Sequence, residues 1–253
     1  MTQTRSRDAI NALRAQIARI EGVAGPSRAV LPFGMDEIDA HLPGGGLALG
    51  ALHEVAGSGF DAVHGAACTR FAAGIAARTK GSVLWILKDR DLYAPGLRQS
   101  GLADRRVVYV AAHTERDILA CFEEGLRHGA LGAVIAETER LPMTASRRLH
   151  LAAEATGSLA IAVRRGGRAA EFGQPNACVT RWRIASLPSV ALPVPGVGRA
   201  RWHLELLRCR GGMPADFYVE ACDDRGRLAP CRLALPAVLG DRPVASGGWR
   251  ARA

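Results

Sequence analysis

Residues 42–71 constrain the fold of this chain more than any other stretch. The segment begins with a triple glycine at 44–46 and continues with an apolar strand over 51–56. At Gly57 it opens into a loop that leads to an Ala-rich, apolar helix. A strand joined to a helix by a glycine-containing loop is the repeating unit of α/β folds. The segment therefore predicts a sheet flanked by helices, with this loop at the end of a strand.

The loop that starts at Gly57 has the outline of a phosphate-binding loop without its chemistry. In the pattern G-x-x-x-x-G-K-[ST], backbone N–H groups surround phosphates and the lysine neutralises them. Gly57 takes the first glycine position, and Ser58 and Gly59 follow it. The second glycine, the lysine and the Ser/Thr are replaced by Ala62, Val63 and His64. We therefore expect a degenerate loop that does not support ATP hydrolysis.

The number of lysines also indicates whether the chain can bind and hydrolyse ATP. The chain has only two lysines, Lys80 and Lys88, and neither follows a phosphate-cradling loop. Loss of that positive charge should weaken nucleotide binding and transition-state stabilisation. We predict a protein that is not an enzyme and has no cofactor, although residual weak nucleotide binding stays open.

Strands and helical segments alternate through the middle of the chain, which predicts βαβ units and a mostly parallel sheet. Predicted strands cover 82–87, 106–112, 131–136 and 159–163, and predicted helices cover 62–78, 115–127 and 144–156, the last with Thr144 as its N-cap. Strand-like runs follow at 177–185, 201–208 and 216–222. The last two are joined by a hairpin-type connection, which predicts antiparallel C-terminal strands.

The chain divides into four parts by composition. We predict an N-terminal amphipathic helix and linker over 1–30, an α/β core over 31–186, an extension of strands and a hairpin over 187–238, and a disordered tail over 239–253. The N-terminal helix carries one apolar face, formed by Ile10, Leu13, Ile17 and Ile20. This face either packs on its own domain or docks into a groove of a partner.

The net charge of +9 is unevenly distributed. Residues 31–163 are nearly neutral, whereas the two ends of the chain are basic. This asymmetry indicates a polyanion or an acidic protein as partner. A general preference for arginine, which would give only a solubilising surface, is the alternative interpretation.

Several classes of protein are disfavoured by the remaining composition. No apolar run approaches the length of a membrane span, and the first residues lack the apolar core of a secretory signal. We therefore expect a cytoplasmic protein without membrane contact. The six cysteines form no C-x-x-C pair, and there is no H-E-x-x-H motif, so no metal site is expected.

Arginines near the predicted strand ends are the candidate contacts for DNA or a partner. Ligands of open α/β sheets bind beyond the carboxyl ends of the strands. The candidates are Arg164, Arg165 and Arg168 in the loop after the strand 159–163, Arg181 and Arg183 on the next strand, and Arg208 and Arg210 further on. Guanidinium groups suit phosphates and carboxylates equally, so DNA and an acidic peptide both remain open.

Four stretches resemble a known family: 42–57, 92–102, 141–155 and 202–212. The order of glycine turn, strand, loop, Ala-rich helix and acid-ended strands resembles the RecA/recombinase core. More narrowly, these stretches resemble the ImuA family of bacterial damage-inducible mutagenesis cassettes, over about residues 31–235. The family name is sometimes confused with that of the division inhibitor SulA.

This resemblance implies a RecA-like core and a role in the SOS response, in translesion DNA synthesis. It implies work beside an ImuB-like protein, which is similar to Y-family polymerases, and an error-prone DnaE-type polymerase, with RecA as a further contact. Glu137 would stand at the Walker B position, and Asp89 near the catalytic glutamate of recombinases. Both acids have a plainer interpretation, as charges beyond strand ends.

The leading hypothesis is therefore a non-catalytic RecA-like adaptor. A divergent RecA-family ATPase of DNA repair is one alternative, and it would need a substitute for the missing lysine. A SulA-type inhibitor of cell division is the other.

Overall fold

The structure is a computed structural model that describes residues 29–166, 172–190 and 195–231. The predicted N-terminal helix with Ile10, Leu13, Ile17 and Ile20, the residue Arg168, and the predicted tail lie outside these ranges. Within the ranges that the structure covers, no helix combines the length and the apolar character needed to cross a membrane.

Eleven strands are found in the described residues. They are β1 (Val30–Leu31), β2 (Leu47–Ala48), β3 (Ala51–Gly57), β4 (Ser82–Leu87), β5 (Val107–Ala111), β6 (Leu131–Thr138), β7 (Leu159–Arg164), β8 (Thr180–Leu187), β9 (Arg201–Cys209), β10 (Ala215–Glu220) and β11 (Ala229–Pro230). Strands β1 and β2 form a small antiparallel pair. The other nine form one sheet in the order β11-β10-β9-β8-β3-β7-β6-β4-β5.

The sheet changes direction at β8. From β8 to β5 all neighbouring strands are parallel, and from β8 to β11 they are antiparallel. The predicted α/β class, with a mostly parallel sheet and antiparallel C-terminal strands, is confirmed. The C-terminal strands extend the same sheet as the core.

Five α-helices accompany the sheet in the described part: α1 (Asp36–Asp39), α2 (Asp61–Ala77), α3 (Ala94–Gln99), α4 (Glu115–Arg127) and α5 (Met143–Thr156). Helices α2 and α3 contribute to the core on one face of the sheet, and α4 and α5 to the core on the other. This cover on two faces explains why the central strands β3 and β7 are buried along nearly their whole length.

An aromatic cluster fixes the antiparallel strands to α2. Phe71 on α2 lies 5.7 Å from Trp182 on β8 and 6.3 Å from Trp202 on β9, measured between ring centroids. Phe33 packs on Phe71 at 6.0 Å, and all four rings are buried. Buried aromatic side chains contribute large apolar areas, so this cluster joins the extension to the core.

Helix α2 approaches the C-terminal segment at a glycine. A Cβ atom at Gly74 would lie 2.3 Å from the Sγ atom of Cys222, which is closer than two such atoms can approach. The Ala-rich composition of the helix thus serves close packing.

Most predicted limits lie within two residues of the observed ones, and two predictions at element starts need correction. Helix α5 begins at Met143 with Pro142 before it, because the Pro142 carbonyl accepts the hydrogen bond of Ser146 N–H. Thr144 therefore lies inside the first turn and is not the N-cap. Strand β8 begins at Thr180 instead of position 177.

Candidate functional site

The loop between β3 and α2 is short, and its backbone is hydrogen-bonded to β8. Only three residues, 58–60, separate the end of β3 at Gly57 from the start of α2 at Asp61. The Ser58 N–H donates to the Ile184 carbonyl at 2.9 Å. That donor is therefore directed at the protein itself and away from any phosphate.

The three replaced motif positions lie together in the first turn of α2, as expected from the sequence. The Nδ1 atom of His64 accepts a hydrogen bond from Ser186 N–H at 3.1 Å. The Ser186 hydroxyl donates to the Val63 carbonyl at 3.3 Å, and the Val63 side chain is exposed. His64 thus fastens the start of α2 to the end of β8, a role that the Ser/Thr of a phosphate loop does not have.

Arg165 is the centre of a cluster of three carboxylates at the carboxyl ends of the parallel strands. It directly follows β7, which lies between β3 and β6. The guanidinium binds Asp61 at 3.0 Å and Glu137 at 3.2 Å. It binds both carboxylate oxygens of Asp91, at 2.9 and 2.7 Å. One cation therefore meets three anions, and the cluster carries a negative excess when all four groups are ionised.

Glu137 is the most buried acid of the cluster. It lies on β6 with only 2% of its surface exposed, and the Trp85 indole N–H donates to it at 3.3 Å. Burial raises the pKa of Glu137, while the nearby charge of Arg165 opposes this shift. The Asp91 carboxyl shows the reverse, because its hydrogen bond from Arg165 lowers its pKa. The same bond raises the pKa of Arg165, which stays fully charged.

Asp91 is a site residue that the sequence analysis missed. Asp89, which was expected near the position of a catalytic acid, is exposed. Asp91 follows two residues later in the same loop after β4 and binds Arg165. The sequence signal is weak, because two acids follow β4 in this loop and only the path of the loop decides which of them reaches Arg165.

A cleft of about 450 Å³ opens beside the cluster. Its floor is the small-residue side of α2, including Ala62 and Gly65, and its opposite wall includes Tyr93 and Leu97 around α3. Arg165 and Asp61 lie at one end. In the part of the chain that the structure describes, no group of three or more His, Cys, Asp or Glu side chains is arranged to hold a metal ion.

Two of the predicted contact arginines are buried in a second ion cluster. Arg164 and Arg181 both bind Glu54 at 2.7 Å, and the Asn176 amide also donates to that carboxylate at 2.7 Å. Arg164 is 8% exposed, Arg181 7% and Glu54 0%. The surface role predicted for Arg164 and Arg181 does not agree with this burial. The sequence could not reveal it, because Glu54 stood in an apolar strand without a visible partner.

Comparisons with known proteins decide the family. No model of a known protein family matches the chain. Two curated proteins, both named "Protein ImuA" and from two strains of Caulobacter vibrioides, are each 39% identical over 234 residues. The matches cover 87% of this chain and 95% of each relative. The chain belongs to the ImuA family.

The fold of this ImuA-family chain is also seen in a solved structure. The RadB recombinase matches it with a TM-score of 0.55, covering 80% of this chain and 100% of the RadB chain. Sequence identity is 16%, so the similarity concerns the fold alone. The predicted RecA-like fold is confirmed, and the Arg165 cluster lies at the strand ends where ligands of such sheets bind.

The remaining predicted arginines of the ImuA-family chain are nearer the surface. Arg183 on β8 pairs with Glu205 on β9. Arg208, at the end of β9, donates to the Asn176 carbonyl at 2.8 Å, and Arg210 follows it. The six described candidates therefore do not form one patch. Arg165 faces the cleft, and Arg164 and Arg181 are buried. The other three lie on or just after the antiparallel strands.

Proposed function

We propose that this chain is a non-catalytic RecA-like adaptor in SOS-induced translesion DNA synthesis. In this proposal it brings an ImuB-like protein and a DnaE-type error-prone polymerase together, with RecA and DNA as further contacts in the cytoplasm. Membership of the ImuA family supports the pathway. The RecA-like fold supports contacts with recombinase-type partners.

One observation carries the non-catalytic part of the proposal. An ATPase of this fold needs a free cation beside the phosphate loop. Here Arg165 lies beside the start of α2, and Asp61, Asp91 and Glu137 already bind it. A triphosphate would have to displace three carboxylates and then bind next to them. The cluster therefore favours structural use of the site over nucleotide turnover.

ATP turnover by purified protein tests this part. We expect no release of phosphate above that of a heat-denatured sample, and Glu137→Gln should leave this result unchanged. Turnover at rates usual for ATPases, lost in Glu137→Gln, would show a divergent ATPase instead. A bound triphosphate held by another cation would have the same meaning.

Recovery of partners from cells tests the adaptor part. The tagged full chain should co-purify with polymerase subunits or RecA from DNA-damaged cells. Deletion should lower the frequency of damage-induced mutations, and Glu137→Gln should restore it as well as the unaltered chain does. Filamentation on overexpression, together with unchanged mutation frequency on deletion, would indicate a division inhibitor and contradict the adaptor role.

DNA as a direct contact has a separate test. Binding through several phosphates loses affinity log-linearly as salt is raised, because counterions are released. An affinity that does not change with salt would exclude phosphate contacts as the main source of binding.

A further inference from the structure

A second hollow, of about 370 Å³, lies between α5 and the start of β8. We call it the arginine pocket. Its apolar lining comes from Met143 and Leu151 on α5 and from Ala177. Its charged lining comes from Arg147, Arg208 and Arg210. The pocket is on the α5 side of the sheet, whereas the cleft beside Arg165 is on the α2 side.

The helix supplies one continuous side of the pocket. Met143, Arg147 and Leu151 are spaced four residues apart, so they lie one above another on the same face of α5. Leu151 is 61% exposed and Met143 36% exposed. A single exposed apolar residue is normal on a protein surface. Here two of them line a concave site together with buried Ala177, which gives an apolar partner side chain a place to pack.

The arginines of the pocket differ from most others near them. Arg148, the neighbour of Arg147, binds Glu123. Within the described residues, no carboxylate lies within ion-pair distance of Arg147, Arg208 or Arg210. Arg208 uses one terminal nitrogen on the Asn176 carbonyl at 2.8 Å, which fixes its direction and leaves other donors. The pocket therefore combines an apolar floor with three arginines that no carboxylate of the described residues pairs with.

We propose that the arginine pocket is a docking site for an acidic peptide segment of a partner protein. An apolar side chain of that segment packs against Met143, Leu151 and Ala177, and flanking Asp or Glu carboxylates bind the arginines. Guanidinium groups bind carboxylates through two parallel hydrogen bonds, which gives such contacts direction as well as charge. The proposal adds a partner site to the adaptor function. It rests on that proposed function, because the adaptor function is the reason to expect protein partners.

The chemistry of the pocket favours a peptide over nucleic acid. Single-stranded nucleic acids are bound by a charged groove that follows the backbone and by aromatic rings on which bases stack. Among the described residues that line the pocket, none is Phe, Tyr or Trp, and the His150 ring is buried. The apolar floor has no counterpart in a phosphodiester chain.

The ends of this chain do not suit the pocket. Residues 1–28 contain five arginines and two acids, and residues 232–253 contain four arginines and one acid. Both would be repelled by three arginines. Charge complementarity therefore points to a segment of another protein.

Titration of the full chain with a labelled peptide tests the proposal. The probe has a central Leu-Phe pair flanked on both sides by Asp and Glu, and a second probe has Ser in place of the Leu-Phe pair. The variants Arg147→Glu and Arg210→Glu should each weaken binding by about tenfold or more, since a charged hydrogen bond is lost and a like charge is added. Leu151→Gln should weaken binding of the Leu-Phe probe alone.

Arg105→Glu is the matched control. Arg105 is exposed beside β5, at the far edge of the sheet, so the same change of charge should leave binding nearly unaltered. Each variant should have the same midpoint temperature of thermal unfolding as the unaltered chain, which shows that the fold is kept. A single-stranded oligodeoxynucleotide should not compete with the peptide.

Three results would overturn the proposal: no saturable binding of the Leu-Phe probe, equal binding by Arg147→Glu and Arg210→Glu, or equal binding of the Ser probe with full competition by the oligonucleotide. The last would identify a polyanion site. The titration uses purified protein, so its result does not depend on whether the adaptor function is correct. Unchanged damage-induced mutation on deletion would end the adaptor proposal and leave the peptide result intact.

Discussion

Arg164 and Arg165 are adjacent in the chain but bind carboxylates on opposite faces of the sheet. Arg164 binds Glu54 on the α5 side, and Arg165 binds Asp61 at the start of α2. Side chains alternate between faces along a strand, so two consecutive arginines at the end of β7 serve two separate ion clusters. Both clusters tie β7 to the neighbouring strand β3 or to the helix that follows it.

Loss of Arg165 should destabilise the fold. In Arg165→Met, Asp61, Asp91 and Glu137 lose their common counter-charge, and Glu137 is buried. We expect the free energy of unfolding to fall by about 3 kcal/mol, as is usual when one partner of a buried pair is removed. Urea denaturation measures this change.

Two comparisons make that result specific. Arg98→Met removes an exposed ion pair with Asp104 and should change stability little. Adding Glu137→Gln to Arg165→Met should recover part of the loss, because one unpaired carboxylate becomes neutral. Equal stability of Arg165→Met and the unaltered chain would contradict the role given to this arginine.

Replacing Glu54 should lower the free energy of unfolding more than replacing other acids of the sheet. Glu54→Gln leaves Arg164 and Arg181 buried without a carboxylate, and we expect a loss of about 3–5 kcal/mol in the free energy of unfolding. Glu205→Gln is the control, since its partner Arg183 is 39% exposed and the expected loss is about 1 kcal/mol or less. Similar losses in the two variants would show that burial of the Glu54 cluster has no energetic effect.

His53 should make the fold sensitive to acid. The ring is 1% exposed and contacts the Thr180 hydroxyl and the Ala48 carbonyl, each at 2.8 Å. Burial lowers the pKa of His53 to about 4. Between this value and the ordinary pKa of about 6.5, the unfolded chain binds a proton that the folded chain does not. Stability due to His53 is therefore complete above pH 6.5 and is lost as the pH falls towards 4.

The size of this effect can be measured by comparison with a variant. The lowered pKa corresponds to about 3 kcal/mol. The difference in unfolding free energy between the unaltered chain and His53→Gln should shrink by up to this amount as the pH falls from about 6.5 to about 4. A difference that stays constant with pH would show that His53 titrates normally.

Restoring the phosphate-loop sequence should not restore nucleotide binding. In the triple variant Ala62→Gly, Val63→Lys and His64→Thr, Asp61 and Arg165 still occupy the site, and the bond from Ser186 to His64 is lost. Titration with a fluorescent ATP analogue should show no gain over the unaltered chain. Adding Asp61→Asn removes a negative charge next to the phosphate position and should raise the affinity above that of the triple variant. Tight binding by the triple variant alone would mean that only the lysine was missing.

The sequence predicted the architecture better than the site. Continuous apolar runs such as 82–87 and 159–163 and the regular alternation of elements were sufficient for the parallel sheet and its helices. These signals are local, and the structure places strands within a few residues of the predicted limits.

The ion clusters depend on long-range pairing that local patterns do not contain. Glu54 and Arg181 are 127 residues apart, and Asp61 and Arg165 are 104 residues apart. An arginine in a polar, glycine-rich loop is normally exposed, so Arg164 was expected at the surface. Its burial follows from the order of strands, which brings β7 next to β3 and Glu54.

Helices α2 and α5 cover opposite faces of the sheet, and this placement has a consequence for binding at the two cavities. The strands of the sheet separate the cleft beside Arg165, on one face, from the arginine pocket, on the other face. Molecules bound at the two sites would therefore not touch. A molecule bound at one of these sites would not block the other site by direct contact.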